Sequence, residues 1–181
     1  MSPPRIIAGR WRGRKLTAPA GLATRPTGLR ARQAAFDILA HAPWGGLQGK
    51  RVLDVFAGTG AYGLEALSRG AALASFIENA PAALAALRAN LAACGAEAGR
   101  IIAADALNPP PGAPHDLLCL DPPYGAGLAG PALAALAAAG WAAPGAIILA
   151  ELGPDDRLDV PSPLAERTHG KARLVIWRFG G

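Results

Sequence analysis

Cysteine and histidine are scarce in this chain of 181 residues, which contains two of the first and three of the second. Cys94 and Cys119 are too few and too far apart for a disulfide framework, and the scattered histidines do not complete a zinc site with them. We therefore expect no bound metal. A reducing compartment, the cytoplasm, is the simplest location for a protein with this cysteine usage.

We also expect no segment that targets the chain or crosses a membrane. Residues 1–15 are basic but have no apolar stretch of the kind found in secretory signals. Residues 122–150 carry no charge, yet prolines interrupt them and most of their bulk is alanine and glycine. We interpret this stretch as loop, helix, turn and strand.

Acidic residues are absent from the first 36 positions, which contain eight arginines and lysines. Residues 37–181 contain ten bases and thirteen acids, so the formal charge of the chain, +5, divides into +8 and −3. Clustered cations bind phosphates because binding releases counterions. The asymmetry predicts a polyanionic partner for the N-terminal segment, either a nucleic acid or an anionic membrane surface.

The length allows one domain with a sizeable core and is too short for two ordinary domains. Hydrophobic residues make up 51% of the chain, but 43 residues are alanine, so bulky core residues are fewer than this figure suggests. We expect a single core with an N-terminal appendage.

Strand and helix patterns alternate from Lys50 onward, which predicts a parallel sheet. Apolar runs and helical spacing predict strands over 51–55, 73–78, 100–104, 116–121 and 146–151, and helices over 61–69, 80–93 and 128–139. Two further strands, 164–168 and 173–179, suit a closing antiparallel hairpin. Before Lys50, residues 5–16 have the pattern of a basic β-hairpin, and a helix over 30–41 presents an apolar face to the body.

The strongest local feature is a glycine loop between the first predicted strand and the next helix, Asp54-Val-Phe-Ala-Gly-Thr-Gly-Ala-Tyr-Gly63. This context is typical of a nucleotide site, since glycines let backbone amides approach a ligand and a helix N-terminus offers unpaired N–H groups. The alternative is a tight turn with close helix packing.

Acids lie at the ends of three predicted strands: Asp54, then Glu78 twenty residues after Gly58, and then Asp105. At the carboxyl edge of a parallel sheet they could accept hydrogen bonds from ribose hydroxyls. Together they predict an adenosine-like ligand. Because carboxylates repel phosphates, a cationic nucleoside suits them better than a polyphosphate. Helix N-capping is the alternative for each acid.

The fourth predicted strand ends in Asp121-Pro122-Pro123-Tyr124. Two prolines fix the backbone, so a carboxylate, a carbonyl and an aromatic face would be held at the sheet edge beside the glycine loop. That arrangement fits a planar substrate with an exocyclic amine. The alternative is a strand break followed by a turn.

This motif series resembles that of class I S-adenosylmethionine-dependent methyltransferases that modify exocyclic amines of nucleobases. The N-terminal residues narrow the resemblance to the RsmD-type 16S ribosomal RNA guanine-N2-methyltransferases of bacteria, over essentially the whole chain. The strings that carry it there are Arg5 to Leu16, Arg25-Pro-Thr27, Arg30-x-Arg32 and Phe36. Two positions depart from the family pattern: Gln33 stands where Glu is frequent, and Asp37 stands where Asn is usual.

The resemblance implies a Rossmann-like α/β fold, in which a mostly parallel seven-stranded sheet has helices on both faces and a C-terminal antiparallel hairpin. Residues 1–45 would form a basic RNA-binding extension of hairpin and helix, and residues 46–181 the S-adenosylmethionine-binding domain. The implied reaction methylates the N2 amine of a guanine in 16S rRNA or a small-subunit particle and leaves S-adenosylhomocysteine. We expect a monomer without membrane contact.

Residue roles follow from the motifs and the resemblance together. The catalytic residues are Asp121, Pro122, Pro123 and Tyr124. The cofactor-binding residues are Asp54, Phe56, Ala57, Gly58, Thr59, Gly60, Glu78 and Asp105. The RNA-binding residues are Arg5, Arg10, Trp11, Arg12, Arg14, Lys15, Arg25, Arg30 and Arg32, although a solvated hairpin with Trp11 packed on the body is the alternative for this segment.

Three other functions stay open. A nicotinamide-dependent oxidoreductase would use the same glycine loop, but it leaves Asp121 to Tyr124 and the basic N-terminus unexplained. A non-catalytic RNA-binding module would keep the fold without the chemistry. A methyltransferase acting on DNA adenine N6 or on another rRNA guanine would share the site and differ only in its target.

Overall fold

The computed structural model describes residues 3–19, 26–160 and 162–180, with the backbone alone for residues 26 and 27. The helices in this part of the chain are α1 (Pro26–His41), α2 (Ala61–Ser68), α3 (Pro81–Cys94) and α4 (Ala129–Ala138). The strands are β1 (Arg51–Val55), β2 (Leu73–Glu78), β3 (Gly99–Ala103), β4 (His115–Leu120), β5 (Ala142–Leu152), β6 (Ala165–His169) and β7 (Ala172–Arg178).

All seven strands form one sheet in the order β3-β2-β1-β4-β5-β7-β6. The first five strands along the chain pair in parallel, and β7 pairs antiparallel with both β5 and β6. The predicted mostly parallel sheet with a closing antiparallel hairpin is therefore confirmed. Its order brings the carboxyl ends of β1, β2, β4 and β5 to one edge, where ligands bind in folds of this type.

Most element boundaries match the prediction within one or two residues, with two exceptions. Helix α1 begins at Pro26, four residues before the predicted start, because proline fits the first turn of a helix. Strand β5 begins at Ala142, also four residues early. Its pairing with β4 shifts between His115 and Leu117, opposite a stretch in which Gly145 has a φ of 73°. Because the start of β5 is irregular, the sequence pattern does not predict its first four residues as strand.

The sheet buries a hydrophobic core on each of its two faces. Helices α1, α2 and α3 pack on one face, around the fully buried rings of Phe36 and Phe76. Helix α4 packs on the other face, through Leu136 and beside Trp141. Burying each of these large side chains contributes about 1.5–3 kcal/mol to folding. In the described part of the chain, no helix has both the length and the apolarity that crossing a bilayer requires.

Residues 3–19, here called the arm, form the predicted chain reversal without regular strands. One antiparallel bridge joins Arg5 to Lys15, and Gly13 N donates to Ile6 O at 2.9 Å. Ile6 and Leu16 are buried in the same core as α1 and α2. The core is thus continuous across the expected division near residue 45, and that division stays a prediction about function.

Two side chains of α2 fix the arm to the body. The buried carboxylate of Glu65 accepts hydrogen bonds from the amides of Ile7 at 2.7 Å and Ala8 at 3.0 Å. Ser68 Oγ accepts from Trp11 N at 3.0 Å and donates to Ala8 O at 2.6 Å. These bonds use the backbone of the arm rather than its basic side chains.

Gly9 is the point of closest approach between the arm and α2. Its φ is +79°, and a Cβ there would lie 1.9 Å from Ser68 O. Gly13 has a similar φ of +82°, but a Cβ there would meet open space. A residue other than glycine would meet backbone strain of about 1–2 kcal/mol at either position. A steric clash is added only at Gly9, so a comparison of the two positions isolates its effect.

We expect Gly9→Ala to lower the free energy of unfolding by about 2 kcal/mol more than Gly13→Ala, because the added methyl forces apart the hydrogen bonds at Ser68. Chemical denaturation of both variants measures the difference. Limited trypsin digestion should also cleave the arm faster in Gly9→Ala. Equal stability and equal digestion of the two variants would contradict the close docking of the arm.

Candidate active site

The glycine loop lies where the sequence predicted it, between the end of β1 and the start of α2. Phe56 has a φ of +59°, and it is the one residue other than glycine with a positive φ in the described part of the chain. Such a conformation is strained, and strain of this kind clusters at functional sites. Gly58 and Gly60 follow with φ values of 55° and 79°.

The glycines of this loop have different roles. A Cβ at Gly60 would lie 2.4 Å from Leu87, and one at Gly63 would lie 2.3 Å from the ring of Phe76. These two glycines allow α2 to pack closely, as the alternative interpretation of the motif expected. A Cβ at Gly58 would meet only a backbone oxygen at 3.9 Å, so this side of the loop is open to a ligand.

Asp54 is a buried carboxyl group, 1% exposed, at the floor of the loop. Its Oδ2 accepts a hydrogen bond from Gly63 N at 2.8 Å, which ties β1 to the first turn of α2. Burial raises the pKa of Asp54 to about 7, against the lowering effects of the Gly63 amide and the Arg32 guanidinium. Asp54 thus titrates near neutral pH and favours a cationic neighbour.

Glu78 and Asp105 both lie at the predicted strand ends, and both already accept backbone hydrogen bonds. Glu78 Oε2 accepts from Gly58 N at 2.8 Å, while its Oε1 accepts from the two amides that precede α3. Asp105 Oδ1 accepts from Leu107 N at 2.9 Å in an exposed turn. A carboxylate has about four acceptor sites, so both acids keep capacity for ribose hydroxyls.

Arg32 is not on the surface, although it was expected to contact RNA. Its side chain is 4% exposed, and Nη2 donates to Arg5 O at 2.6 Å. Its charge also acts on Asp54. Its Nε has no hydrogen-bond partner among the described residues. The arginine therefore joins α1 to the arm, and its charge acts on the carboxyl group at the floor of the glycine loop.

Asp121, Pro122, Pro123 and Tyr124 follow β4 directly and lie beside the glycine loop. Asp121 N donates to Val55 O at 3.3 Å, so the string continues the pairing of β4 with β1. Asp54 and Cys119 are paired in register, and Asp121 lies two residues further along the same face. The structure thus brings the predicted cofactor and catalytic residues to one edge.

Cys119 is fully buried between these acids. Burial raises the pKa of its thiol well above the usual value, and the charges of Asp54 and Asp121 raise it further. The thiol is therefore neutral at physiological pH. Cys119 is therefore a core residue rather than a reactive one.

Tyr124 is held by groups that the sequence interpretation did not assign. Its hydroxyl donates to Glu151 Oε1 at 2.6 Å, and the hydroxyl of Tyr62 donates to Glu151 Oε2, also at 2.6 Å. The backbone of Gly153 lies directly against Tyr124, since a Cβ there would be 2.7 Å from the tyrosine Cβ. Asp156 accepts from the amides of residues 125, 127 and 153 and so fixes the loop after Tyr124.

Part of this network had a signal in the sequence. Glu151 is an acid that ends a predicted strand, the same feature that singled out Glu78. Tyr62 lies inside the glycine motif itself. Asp156 follows an irregular loop and carries no comparable signal.

The expected RNA-binding residues divide into exposed and docked ones. Arg5, Arg10, Arg12, Arg14, Lys15 and Arg30 are exposed, and Arg25 lies outside the described residues. Trp11 is half-buried against the core, with the Arg10 guanidinium 4.0 Å from its ring centre. Arg14 also donates to Ala93 O at the end of α3. The packing alternative therefore applies to Trp11, while most of the cationic groups face solvent.

A cavity of about 510 Å³ lies between the arm and α1, away from the glycine loop. Arg5, Arg12 and Arg69 contribute to its lining, together with Gln33 and Asp37. Gln33 Nε2 donates to Asp37 Oδ1 at 2.8 Å. The two residues that depart from the family pattern are thus an amide and a carboxylate bonded to each other.

The site fits S-adenosylmethionine better than a metal ion. The open side of Gly58 and the acids Asp54 and Glu78 suit a nucleoside that carries a cationic centre. Among the described residues, no group of three or more histidine, cysteine or acidic side chains is arranged to hold a metal.

Because burial raises the pKa of Asp54 to about 7, we expect the folded protein to bind a proton that the unfolded chain releases between about pH 4 and pH 7. Relative to Asp54→Asn, the wild type should gain about 2–3 kcal/mol of unfolding free energy as the pH falls from 8 to 5. Denaturant unfolding of both proteins across this range measures it. A pH-independent difference would show that Asp54 stays ionised in the folded state.

Comparison with known proteins places these features in a family. The family model described as conserved hypothetical protein 95 matches residues 4–178. Ribosomal RNA small subunit methyltransferase D of Escherichia coli is 41% identical over 149 residues, 81% of this chain and 73% of that protein. Its counterpart of the same name in Haemophilus influenzae is 38% identical over 184 residues, 97% and 92% of the two chains.

Solved structures agree with this result. The Escherichia coli protein yhhF has 36% identity, covers 96% of each chain and has a TM-score of 0.82. An RNA methyltransferase from Salinibacter ruber in complex with S-adenosyl-L-homocysteine shares the fold, with a TM-score of 0.62 at 13% identity over 87% of this chain and 93% of that one. The resemblance drawn from the motifs is confirmed, and this chain belongs to the family described as conserved hypothetical protein 95, the RsmD family.

Proposed function

We propose that this protein transfers a methyl group from S-adenosylmethionine to the N2 amine of a guanine in bacterial small-subunit rRNA. The observation that carries the proposal is the position of Asp121 to Tyr124 directly beside the glycine loop, with the tyrosine ring held from several sides. The names of the curated relatives support ribosomal RNA as the substrate class. The protein would act in the cytoplasm, as a monomer.

Binding of the cofactor would use the loop and the acids around it. When bound, S-adenosylmethionine supplies an electrophilic methyl group on a cationic sulfur. Glu78 would accept hydrogen bonds from the ribose hydroxyls, and Asp105 would contact the adenine end. The negative charges of Asp54 and Asp121 favour a cation in this position, which no polyphosphate cofactor would offer.

Orientation of the amine is the main task of Asp121 and the Pro122 carbonyl. The lone pair of an exocyclic amine is delocalised into the ring, which makes the amine a poor nucleophile. If both hydrogens of the amine are donated to these two oxygens, the lone pair turns toward the methyl group for in-line attack. The prolines hold both acceptors rigidly, so little reorganisation is needed during the reaction.

Proton release follows methyl transfer. As the new N–C bond forms, the S–C bond breaks and the nitrogen carries a positive charge with two hydrogens. This ammonium is acidic, so Asp121 or water can take one proton without a strong general base. The absence of a histidine from the predicted site is therefore consistent with the chemistry.

The guanine has to leave its helix or be unpaired to reach this edge. The ring of Tyr124 would stack on it, an interaction worth about 1–3 kcal/mol per base. The exposed arginines of the arm, and those that line the cavity between the arm and α1, would bind phosphates of the flanking RNA. The arm is docked through its backbone, so these contacts need no prior folding step.

Transfer of labelled methyl from S-adenosylmethionine tests the reaction directly. The substrates are small-subunit particles and naked rRNA from cells that lack the protein, followed by nucleoside analysis. We expect label in N2-methylguanosine. Label in another nucleoside would keep the mechanism and reject the target, and no label in any RNA or DNA would favour a binding module.

Asp121→Ala should reduce turnover about a hundredfold or more, because the amine loses one of its two acceptors, while S-adenosylmethionine still binds. The matched control is Asp116→Ala. Asp116 lies on the same strand at the opposite edge of the sheet, where it accepts from Arg51 N at 2.8 Å. Cofactor affinity is measured by calorimetry. Unchanged turnover in Asp121→Ala would reject the catalytic role of Asp121.

The arm is tested through salt dependence. Arg10→Ala combined with Arg12→Ala should weaken RNA binding and reduce the slope of log affinity against log salt by up to about 2, since each phosphate contact contributes roughly one unit. Arg167→Ala with Lys171→Ala removes the same charge from the exposed β6–β7 hairpin and serves as the control. Equal slopes for the two double variants would show that Arg10 and Arg12 of the arm do not contact RNA phosphates.

A further inference from the structure

Both tyrosines of this chain donate to a single carboxylate. The sequence contains two tyrosines, Tyr62 and Tyr124, and their hydroxyls bond to the two oxygens of Glu151 at 2.6 Å each. Tyr62 lies 89 positions from Glu151 in the sequence, and Tyr124 lies 27 positions from it. Helix α2, the end of β5 and the segment Asp121 to Tyr124 therefore meet at one residue, Glu151.

Glu151 is 3% exposed, and a buried carboxylate is unfavourable unless it accepts strong hydrogen bonds. Bonds of 2.6 Å from a hydroxyl to a carboxylate fall in the range of charge-assisted hydrogen bonds. Burial raises the pKa of Tyr62 well above its usual value, and the charge of Glu151 raises it further. The unit is one carboxylate that accepts a hydrogen bond from a phenol hydroxyl at each of its two oxygens.

The two tyrosines differ in how firmly they are held. Tyr62 is 5% exposed and lies beside Phe36, with ring centres 5.9 Å apart. Tyr124 is half-buried at the site, with the backbone of Gly153 against its Cβ. Tyr62 is therefore the more firmly held of the two tyrosines. Through the carboxylate of Glu151 it helps to fix the half-buried ring of Tyr124.

We propose that Glu151 is a positioning residue for methyl transfer, which, anchored by Tyr62, holds the ring of Tyr124 in the orientation that receives the target base. The inference rests on the proposed function, since it names how that site is kept ready for its substrate. A hydroxyl already bonded to Glu151 leaves the ring face as the surface offered to the base, so Tyr124 would recognise it by stacking.

Loss of the Glu151 anchor should affect kcat more than KM for RNA. A Tyr124 ring that is already oriented lowers the activation barrier of methyl transfer after the RNA has bound, because the target base is held in the reactive position. Loss of the anchor should therefore reduce kcat about tenfold and change KM for RNA by less than about threefold. Binding of S-adenosylmethionine should stay unchanged, because neither phenol belongs to the expected cofactor contacts.

Three variants separate the anchor from the ring. Glu151→Gln keeps the shape and removes the charge, Tyr62→Phe removes the anchor alone, and Tyr124→Phe keeps the ring but deletes its bond to Glu151. We expect each to show the kcat loss, and the Glu151→Gln, Tyr124→Phe double variant to lose little more than either single one. Asp116→Asn, at the opposite edge of the sheet, controls for removal of an acid elsewhere.

A spectroscopic measurement tests the positioning independently of activity. With two tyrosines in the chain, carbon-13 tyrosine labelling gives two ring signals. In Glu151→Gln and Tyr62→Phe we expect the Tyr124 ring to flip faster, and in Glu151→Gln the phenolate absorbance to develop at lower pH. Asp116→Asn should leave both signals unchanged.

The outcomes separate the two proposals. If the wild type transfers no methyl but Tyr124 loses order in Glu151→Gln, the proposed function fails and the anchoring stands. If the wild type is active and the variants keep both kcat and Tyr124 order, the positioning role is rejected. Should Glu151→Gln not fold, Tyr62→Phe decides the question, because it leaves the carboxylate and the Tyr124 ring in place.

Discussion

Carboxylates at the carboxyl edge of the sheet lose much of their contact with water and have to be stabilised by hydrogen-bond donors, and the arrangement of this protein depends on how that is done. Their oxygens accept hydrogen bonds mainly from backbone amides and phenol hydroxyls, as seen at Asp54, Glu78, Glu151 and Asp156. Such bonds offset part of the cost of burial, although burial still raises the pKa of Asp54 to about 7. Each carboxylate also joins two elements that are distant in sequence.

The arm extends the same principle to a basic segment. Glu65 and Ser68 bind its backbone, and Asn90 accepts from Thr17 N while donating to Thr17 O and to Thr59 O in the glycine loop. The arm is thus attached both to α2 and to the loop that is expected to hold the cofactor. Its arginine side chains remain exposed, and the basic surface and the acidic edge belong to one continuous core.

Local patterns were sufficient to predict the fold, because alternation and helical spacing are properties of neighbouring residues. The same patterns placed the glycine loop and Asp121 to Tyr124 at one edge, since parallel strands bring their carboxyl ends together. Arg32 was expected to contact RNA because it belongs to the basic N-terminal segment and to the Arg30-x-Arg32 string of the family resemblance. Its burial depends on a carbonyl 27 positions away, which no local pattern reveals. The partners of Glu151 are likewise non-local, so its role emerges only from the folded chain.

Cys119 gains a particular significance from its place between Asp54 and Asp121. A sulfur nucleophile attacks as the thiolate, and a thiolate beside an activated methyl group would be alkylated in place of the substrate. Burial and two flanking carboxylates raise the pKa of this thiol well above its usual value and keep it protonated. The acids that we propose to favour a cationic methyl donor thus also keep a neighbouring thiol in its unreactive form.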